Sequence, residues 1–168
     1  MRILGIDPGS AILGWGIIES VNDTATAVDY GVITTPKKCE IRERLTTIYS
    51  GVERIIQKFN PDTMAIEKLF FNKNVTTAMA VSESRGVAIL AAAKIGICVC
   101  EYTPLQVKKA LTGYGIAEKQ QVQKMIQLLL RLKELPKPDD AADALAIALC
   151  CLSTDTFTKA VNDAENKL

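Results

Sequence analysis

The chain has 168 residues, 48% of them hydrophobic, and 20 Lys and Arg against 19 Asp and Glu leave a net charge of +1. That length supports one core, and a total charge near zero gives by itself no support to a nucleic-acid partner. The first apolar run closes at Asp7, too early for a signal peptide, and no stretch approaches the roughly 20 apolar residues of a membrane span, so a soluble, intracellular, cytoplasmic protein is expected.

Residues 2–7 (RILGID) read as a buried strand, and 13–20 (LGWGIIES) as a second with period-two character at Leu13, Trp15 and Ile17. Residues 26–35 (TAVDYGVITT) make a third, and the short connections imply an antiparallel meander. Ile41, Leu45, Ile48, Val52, Ile55 and Phe59 recur at steps of three and four, one face of a helix from Glu40 that Pro61 stops. A strand follows at 62–67 (DTMAIE), then a polar and aromatic loop at 68–74 (KLFFNKN), then a long helix over about 75–95. The fifth strand is 97–102 (ICVCEY), stopped by Thr103 and Pro104, and the alternation of strand and helix here implies parallel crossovers added to the meander. Helices are expected at 105–111, 118–132 and 139–152. Residues 1–152 thus form one domain, and 153–168 read as a flexible polar tail.

The second half of the long helix, GVAILAAA at 86–93, is apolar on every side. Such a helix is buried on two faces, either within its own fold or against a second copy, and Ala88 and Ala92 are the positions expected at a subunit contact. Of the five cysteines, Cys98 and Cys100 are expected on opposite faces of a strand, Cys150 and Cys151 are adjacent on a helix, and Cys39 stands alone. Nothing in this spacing suggests a disulfide framework, so they read as small core residues in a reducing compartment.

Four carboxylates sit at the ends of apolar elements: Asp7 closes ILGI, Glu67 closes MAI, and Asp140 and Asp143 open AADALAIAL. An unpaired carboxylate in apolar surroundings costs several kcal/mol or is forced to neutralise, so acids placed there usually share a cation. With no histidine and no zinc spacing among the cysteines, an all-oxygen Mg²⁺ or Mn²⁺ site follows. In the strand order a meander plus crossover favours, the strands ending at Asp7 and Glu67 lie side by side in parallel, and Asp140 and Asp143, three apart on a helix, close over their ends. Two ions about 4 Å apart would complete a two-metal phosphodiesterase centre. Each acid also has an ordinary structural use. Asp7 begins a turn, Glu67 has Lys68 and Lys73 as partners, and Asp139 or Asp140 can cap the helix after Pro138. Asp143 lies inside the helix, where capping no longer applies, and Asp139 is the better cap.

Charge distribution supports the same chemistry. Residues 104–137 hold seven Lys and Arg, among them Lys108 and Lys119, against two Glu, whereas 139–168 hold two basic and six acidic residues. An acidic centre beside a basic flank suits metals holding one phosphate and lysines holding its neighbours. Phe70 and Phe71 in the loop after Glu67 can stack on bases. The glycines of GIDPGS and LGWG also fit phosphate loops of sugar kinases and actin-like ATPases, the main rival, although 168 residues leave no room for their second half domain.

In order and spacing, GIDPGS, AIEKLFFNKN, SRGVAILAAA, EYTPLQVKKALTGYGIAEKQQV and PDDAADALAIA resemble the RuvC family of bacterial Holliday junction resolvases, over about residues 1–152. The resemblance implies an α/β, RNase H-like fold: a mixed five-stranded sheet, antiparallel meander plus parallel strands, flanked by helices. It implies a homodimer that nicks two like strands of a four-way DNA junction, leaving 5′-phosphate and 3′-hydroxyl ends, in DNA recombination and repair. Asp7, Glu67, Asp140 and Asp143 match the family's catalytic acids, holding two Mg²⁺ ions with Mn²⁺ as a substitute. Lys108 and Lys119 match its lysines for the DNA backbone, Phe70 its junction-core aromatic, with Phe71 and Lys73 in the same DNA-facing loop. Some members carry histidine at the third acidic position, where this chain has Asp140. Cooperation with the branch-migration proteins RuvA and RuvB is implied as well.

Overall fold

The computed structural model describes residues 1–22, 24–36, 38–69 and 75–165, with side chains throughout except at 75–77 and 156–165. Three strands, β1 (Arg2–Asp7), β2 (Ile12–Val21) and β3 (Thr24–Thr34), are followed by α1 (Ile41–Phe59), β4 (Thr63–Glu67), α2 (Val75–Lys94) and β5 (Cys98–Tyr102), and then by α3 (Pro104–Thr112), α4 (Lys119–Leu129) and α5 (Asp139–Glu165). The strands form one sheet in the order β3-β2-β1-β4-β5. β1 pairs antiparallel with β2, and β2 with β3, while β1 with β4 and β4 with β5 are parallel. The expected mixed sheet is therefore present, with β1 central and β4 beside it. No helix among the described residues is long and apolar enough to cross a membrane.

The alternation of side chains places the layers. Ile3 on β1 and Ala65 on β4 belong to a cluster built around α5, α3 and α4, and Leu4, Ile6, Met64 and Ile66 to a second cluster with α1 and α2. Successive strand residues point to opposite faces. Asp7 and Glu67, one residue beyond Ile6 and Ile66, consequently face α5. Because helices cover both faces, β2 is not half-exposed as its period-two residues suggest: Gly14, Gly16 and Ile18 are buried along with Leu13 and Ile17.

Close contact between α5 and the sheet depends on glycine. A Cβ added at Gly5 would overlap the carbonyl oxygen of Ala144, and one at Gly14 the carbonyl oxygen of Asp140. The α5 backbone thus rests directly on β1 and β2, and this sets the height of the acid-bearing first turn over the strand ends. Of the glycines that suggested a nucleotide loop, Gly5, Gly14 and Gly16 are strand residues beneath a helix, and Gly9 lies in the turn between β1 and β2, packed on the Ile12 main chain.

Several boundaries and faces differ from those expected. Helix α5 does not give way to a tail at Ser153 but continues to Glu165. Adding a residue to an existing helix is far easier than nucleating one, and the hydroxyls of Ser153 and Thr154 donate to the carbonyls of Leu149 and Cys150 rather than leaving the helix. Helix α4 stops at Leu129, short of Leu132, where the chain turns with Arg131 at φ 53° and Leu130 buried. Ala88 and Ala92 of α2 are fully buried within the fold, so neither is open to the subunit contact expected of them. The face of α2 left open carries Met79 and Leu90, 60% and 52% exposed, and Gly86, above which there is open space. Finally, Cys98 and Cys100 share one face, as residues two apart on a strand must, and their thiols lie within hydrogen-bonding reach.

Candidate active site

Parallel pairing of Ile6 with Ile66 brings β1 and β4 out of the sheet at the same end, so Asp7 and Glu67 emerge side by side. Their carboxyls are within hydrogen-bonding reach of each other. Asp143, in the second turn of α5, faces them from above. Together Asp7, Glu67 and Asp143 line a cavity of about 280 Å³ whose remaining wall includes Lys108 from α3, Lys119 from α4, and the apolar Val107, Val122, Ala146 and Ile147. Helix α3 is held firmly at this wall: Thr103 accepts from the Gln106 N–H while the Gln106 side chain accepts from the Thr103 N–H, and Pro104 opens the first turn. Helix α4 starts with the Glu118 N–H donating to the Gln121 side chain at 2.9 Å and the Gln121 N–H donating to the Glu118 carbonyl at 3.0 Å, which places Lys119 at its first position.

The electrostatics are those of an acidic cluster short of positive charge. Burial first, then the neighbouring Glu67 and Asp143 carboxylates, push the Asp7 pKa up to about 8. Glu67 is also raised, by burial and by Asp143, although its hydrogen bond with Asp7 pulls the other way. Asp143 is raised by burial in spite of the Lys119 ammonium beside it. Lys119 lies 3.2 Å from the Asp143 carboxylate and 3.1 Å from that of Asp139. Burial disfavours its charge, but these two acids outweigh that effect and raise its pKa.

Asp7, Glu67, Asp143, Lys108 and Lys119 are therefore brought together as the sequence leads one to expect. Asp140 is not part of the cavity lining, although its charge acts on both Asp7 and Asp143. Asp139 is not the cap: the Pro138 carbonyl accepts from the N–H groups of Ala141 and Ala142, and the Asp139 carboxylate, already inside the helix, binds Lys119 and accepts from Gln123 at 3.2 Å. Phe70, Phe71 and Lys73 lie outside the described residues. Arg85, overlooked in the sequence, reaches from α2 to the main chain of Glu67. Its signal was a lone cation ahead of a run of apolar residues.

The donors are all hard carboxylate oxygens, half-buried, crowded and carrying raised pKa values, which fits a divalent cation such as Mg²⁺. Among the described residues, however, no three acid or thiol side chains converge closely enough to hold a metal ion as they stand. In this arrangement the Lys119 ammonium supplies the nearest countercharge.

A mixed sheet in this order, with acids at the ends of its two central parallel strands and more acids on a helix laid across them, is the RNase H-like fold. A family model described as crossover junction endodeoxyribonuclease RuvC matches residues 3–151. The crossover junction endodeoxyribonuclease RuvC of Alkaliphilus oremlandii is 55% identical over 159 residues, covering 95% of this chain and 97% of that protein. Its counterpart in Clostridioides difficile is 50% identical over 167 residues, 99% of each chain. Thermus thermophilus RuvC in complex with Holliday junction substrate matches with a TM-score of 0.86 at 33% identity, over 94% of this chain and 96% of that one. The yeast mitochondrial Holliday junction resolvase Ydc2, at 15% identity and a TM-score of 0.72, covers 99% of this chain with 86% of its own and shares the fold. This chain belongs to the RuvC family of crossover junction endodeoxyribonucleases.

Proposed function

We propose that this protein is a Mg²⁺-dependent endodeoxyribonuclease that resolves four-way DNA junctions by paired, symmetric hydrolysis, leaving 5′-phosphate and 3′-hydroxyl ends. The observation that carries the reading is the meeting of Asp7, Glu67 and Asp143 around one cavity whose rim presents Lys108 and Lys119. Asp7, Glu67 and Asp143, with Asp140 beside them, would hold two Mg²⁺ ions, or Mn²⁺ in their place. When bound, such ions activate water for in-line attack and stabilise charge on the leaving 3′ oxygen.

The remaining work falls to the chain. Lys108 and Lys119 bind phosphates flanking the scissile one, and Lys119 leaves Asp139 and Asp143 to do so. The apolar wall of Val107, Val122 and Ile147 narrows the space around the reacting phosphate and excludes bulk water. Phe70 stacks at the junction core, and Phe71 and Lys73 also bind DNA. The protein acts as a homodimer through the open face of α2, where Met79 and Leu90 are exposed apolar side chains, Gly86 leaves open space and Glu83 is the one exposed charge between them. Dimer symmetry then supplies the choice of two like strands. Residues 1–152 form the nuclease domain, and the protein works in the cytoplasm with RuvA and RuvB.

Incubating the pure protein with a mobile four-way junction, a duplex of matching sequence and an RNA–DNA hybrid tests this directly. The expected result is paired nicks in the junction alone, sealable by ligase, with Mg²⁺ required and EDTA inhibitory. Equal cutting of the duplex, or preference for the hybrid, would refute it.

A further inference from the structure

We propose that Arg85 is a positioning residue for Glu67, locking the end of β4 from the opposite face of the sheet. The Nε–H of Arg85 donates to the Glu67 carbonyl at 3.0 Å, and its terminal nitrogen forms an ion pair with the Glu101 carboxylate on β5. Strand alternation explains the meeting. Tyr102 packs with the α5 cluster, so Glu101 projects to the face where α2 lies, and Arg85 comes from α2. The Arg85 side chain is 18% exposed, which keeps it from serving as a surface contact for DNA.

The location matters because Glu67 ends the strand. The β4–β5 ladder extends only one step further, through the Lys68 N–H and the Tyr102 carbonyl at 2.8 Å. The Glu67 peptide is thus held on one side by the sheet and on the other by a guanidinium that is itself fixed by Glu101. Rotation of that peptide would swing the Glu67 carboxylate relative to Asp7. Arginine is suited to this work because its planar fork holds two acceptors in a set relation, whereas lysine is a point charge on a flexible stem. A partly exposed ion pair contributes little net stability, so the value of this one lies in geometry. The same link ties the helix proposed to carry the dimer contact to a residue of the active site.

The inference rests on the reading of Glu67 as a metal ligand, and the test separates the two. Full-length Arg85→Lys, Glu101→Gln and Glu67→Gln proteins are compared with wild type by Mn²⁺ titration followed by electron paramagnetic resonance, by junction binding in EDTA, and by thermal melting. Arg85→Lys and Glu101→Gln should each weaken Mn²⁺ binding about tenfold, as loss of an outer partner does at other metal sites. Junction affinity in EDTA should stay near wild type in both. If both bind Mn²⁺ within about twofold of wild type while Glu67→Gln loses it, Glu67 is a ligand and the positioning role is wrong. If Glu67→Gln also binds Mn²⁺ normally, the ligand reading fails and takes the positioning role with it. A fall in melting temperature with Mn²⁺ affinity intact would reduce Arg85 to a structural tie and likewise overturn the proposal.

Discussion

Replacing Asp7 by Asn should stabilise the metal-free protein at neutral pH while abolishing cleavage. Asp7 ordinarily titrates near 3.8, and in the fold burial and the neighbouring acids raise it to about 8. Between those values the folded state binds more protons at this group than the unfolded state, so the contribution of Asp7 to stability is full below pH 4 and is lost progressively as pH rises towards 8. At pH 7 the gap of three units corresponds to at most about 4 kcal/mol, and solvent access together with proton sharing with Glu67 reduces this to about 2 kcal/mol. For a protein of this size that is about 4–8 °C in melting temperature. Asparagine keeps the shape and can donate its amide N–H to the Glu67 carboxylate. Calorimetry in EDTA from pH 5 to 8.5 should therefore show wild-type Tm falling with pH and a flatter profile for Asp7→Asn, which overtakes wild type near neutrality. Added Mg²⁺ should raise the wild-type Tm much more than that of the variant. An Asp7→Asn protein that melts at or below wild type at pH 7 in EDTA would show that Asp7 serves the fold and that crowding of the acids does not destabilise it.

Three further outcomes follow from the site and its supports. Lys108→Ala and Lys119→Ala should each weaken junction binding and lower the slope of log affinity against log salt by about one, and unchanged slopes in a filter-binding titration would make this flank merely a solvated surface. Gly14→Ala, whose methyl meets the Asp140 carbonyl, should cost about 1–3 kcal/mol by forcing α5 off the sheet, and should depress cleavage more than binding because Asp140 and Asp143 move with the helix. Thermal melts and single-turnover cleavage check this, and a variant as stable and active as wild type would mean that α5 adjusts freely. Leu90→Arg on the open face of α2 should yield folded monomers that nick one strand at a time, whereas Ala88→Arg should fail to fold; light scattering that finds Leu90→Arg still dimeric would place the subunit contact elsewhere.

The strands, the amphipathic α1 and the positions of the acids were legible in the residue order alone. Apolar runs that stop at Asp7 and Glu67 carry both the period of a strand and the point at which it reaches water, and both are local properties. Asp143 was legible for the same reason, as a charge inside an alanine- and leucine-rich helix. Partnerships across the chain were not local and came from the packing of distant elements. Lys119 and Asp139 are separated by 20 positions, and their ion pair depends on where α4 and α5 pack, so the carboxylate that looked like a cap became a partner for lysine. The roles of Gly5 and Gly14 required knowing that a helix backbone lies on them. For α2, composition left two faces equally apolar, and the packing of Ala88, Ala91 and Ala92 against the sheet and α1 chose which one remains open. Arg85 reaches Glu67 across 18 residues because the crossover returns α2 to the sheet beside β4 and β5. Periodicity states which way a side chain points from its own element, while what it meets is set by sheet order and helix packing.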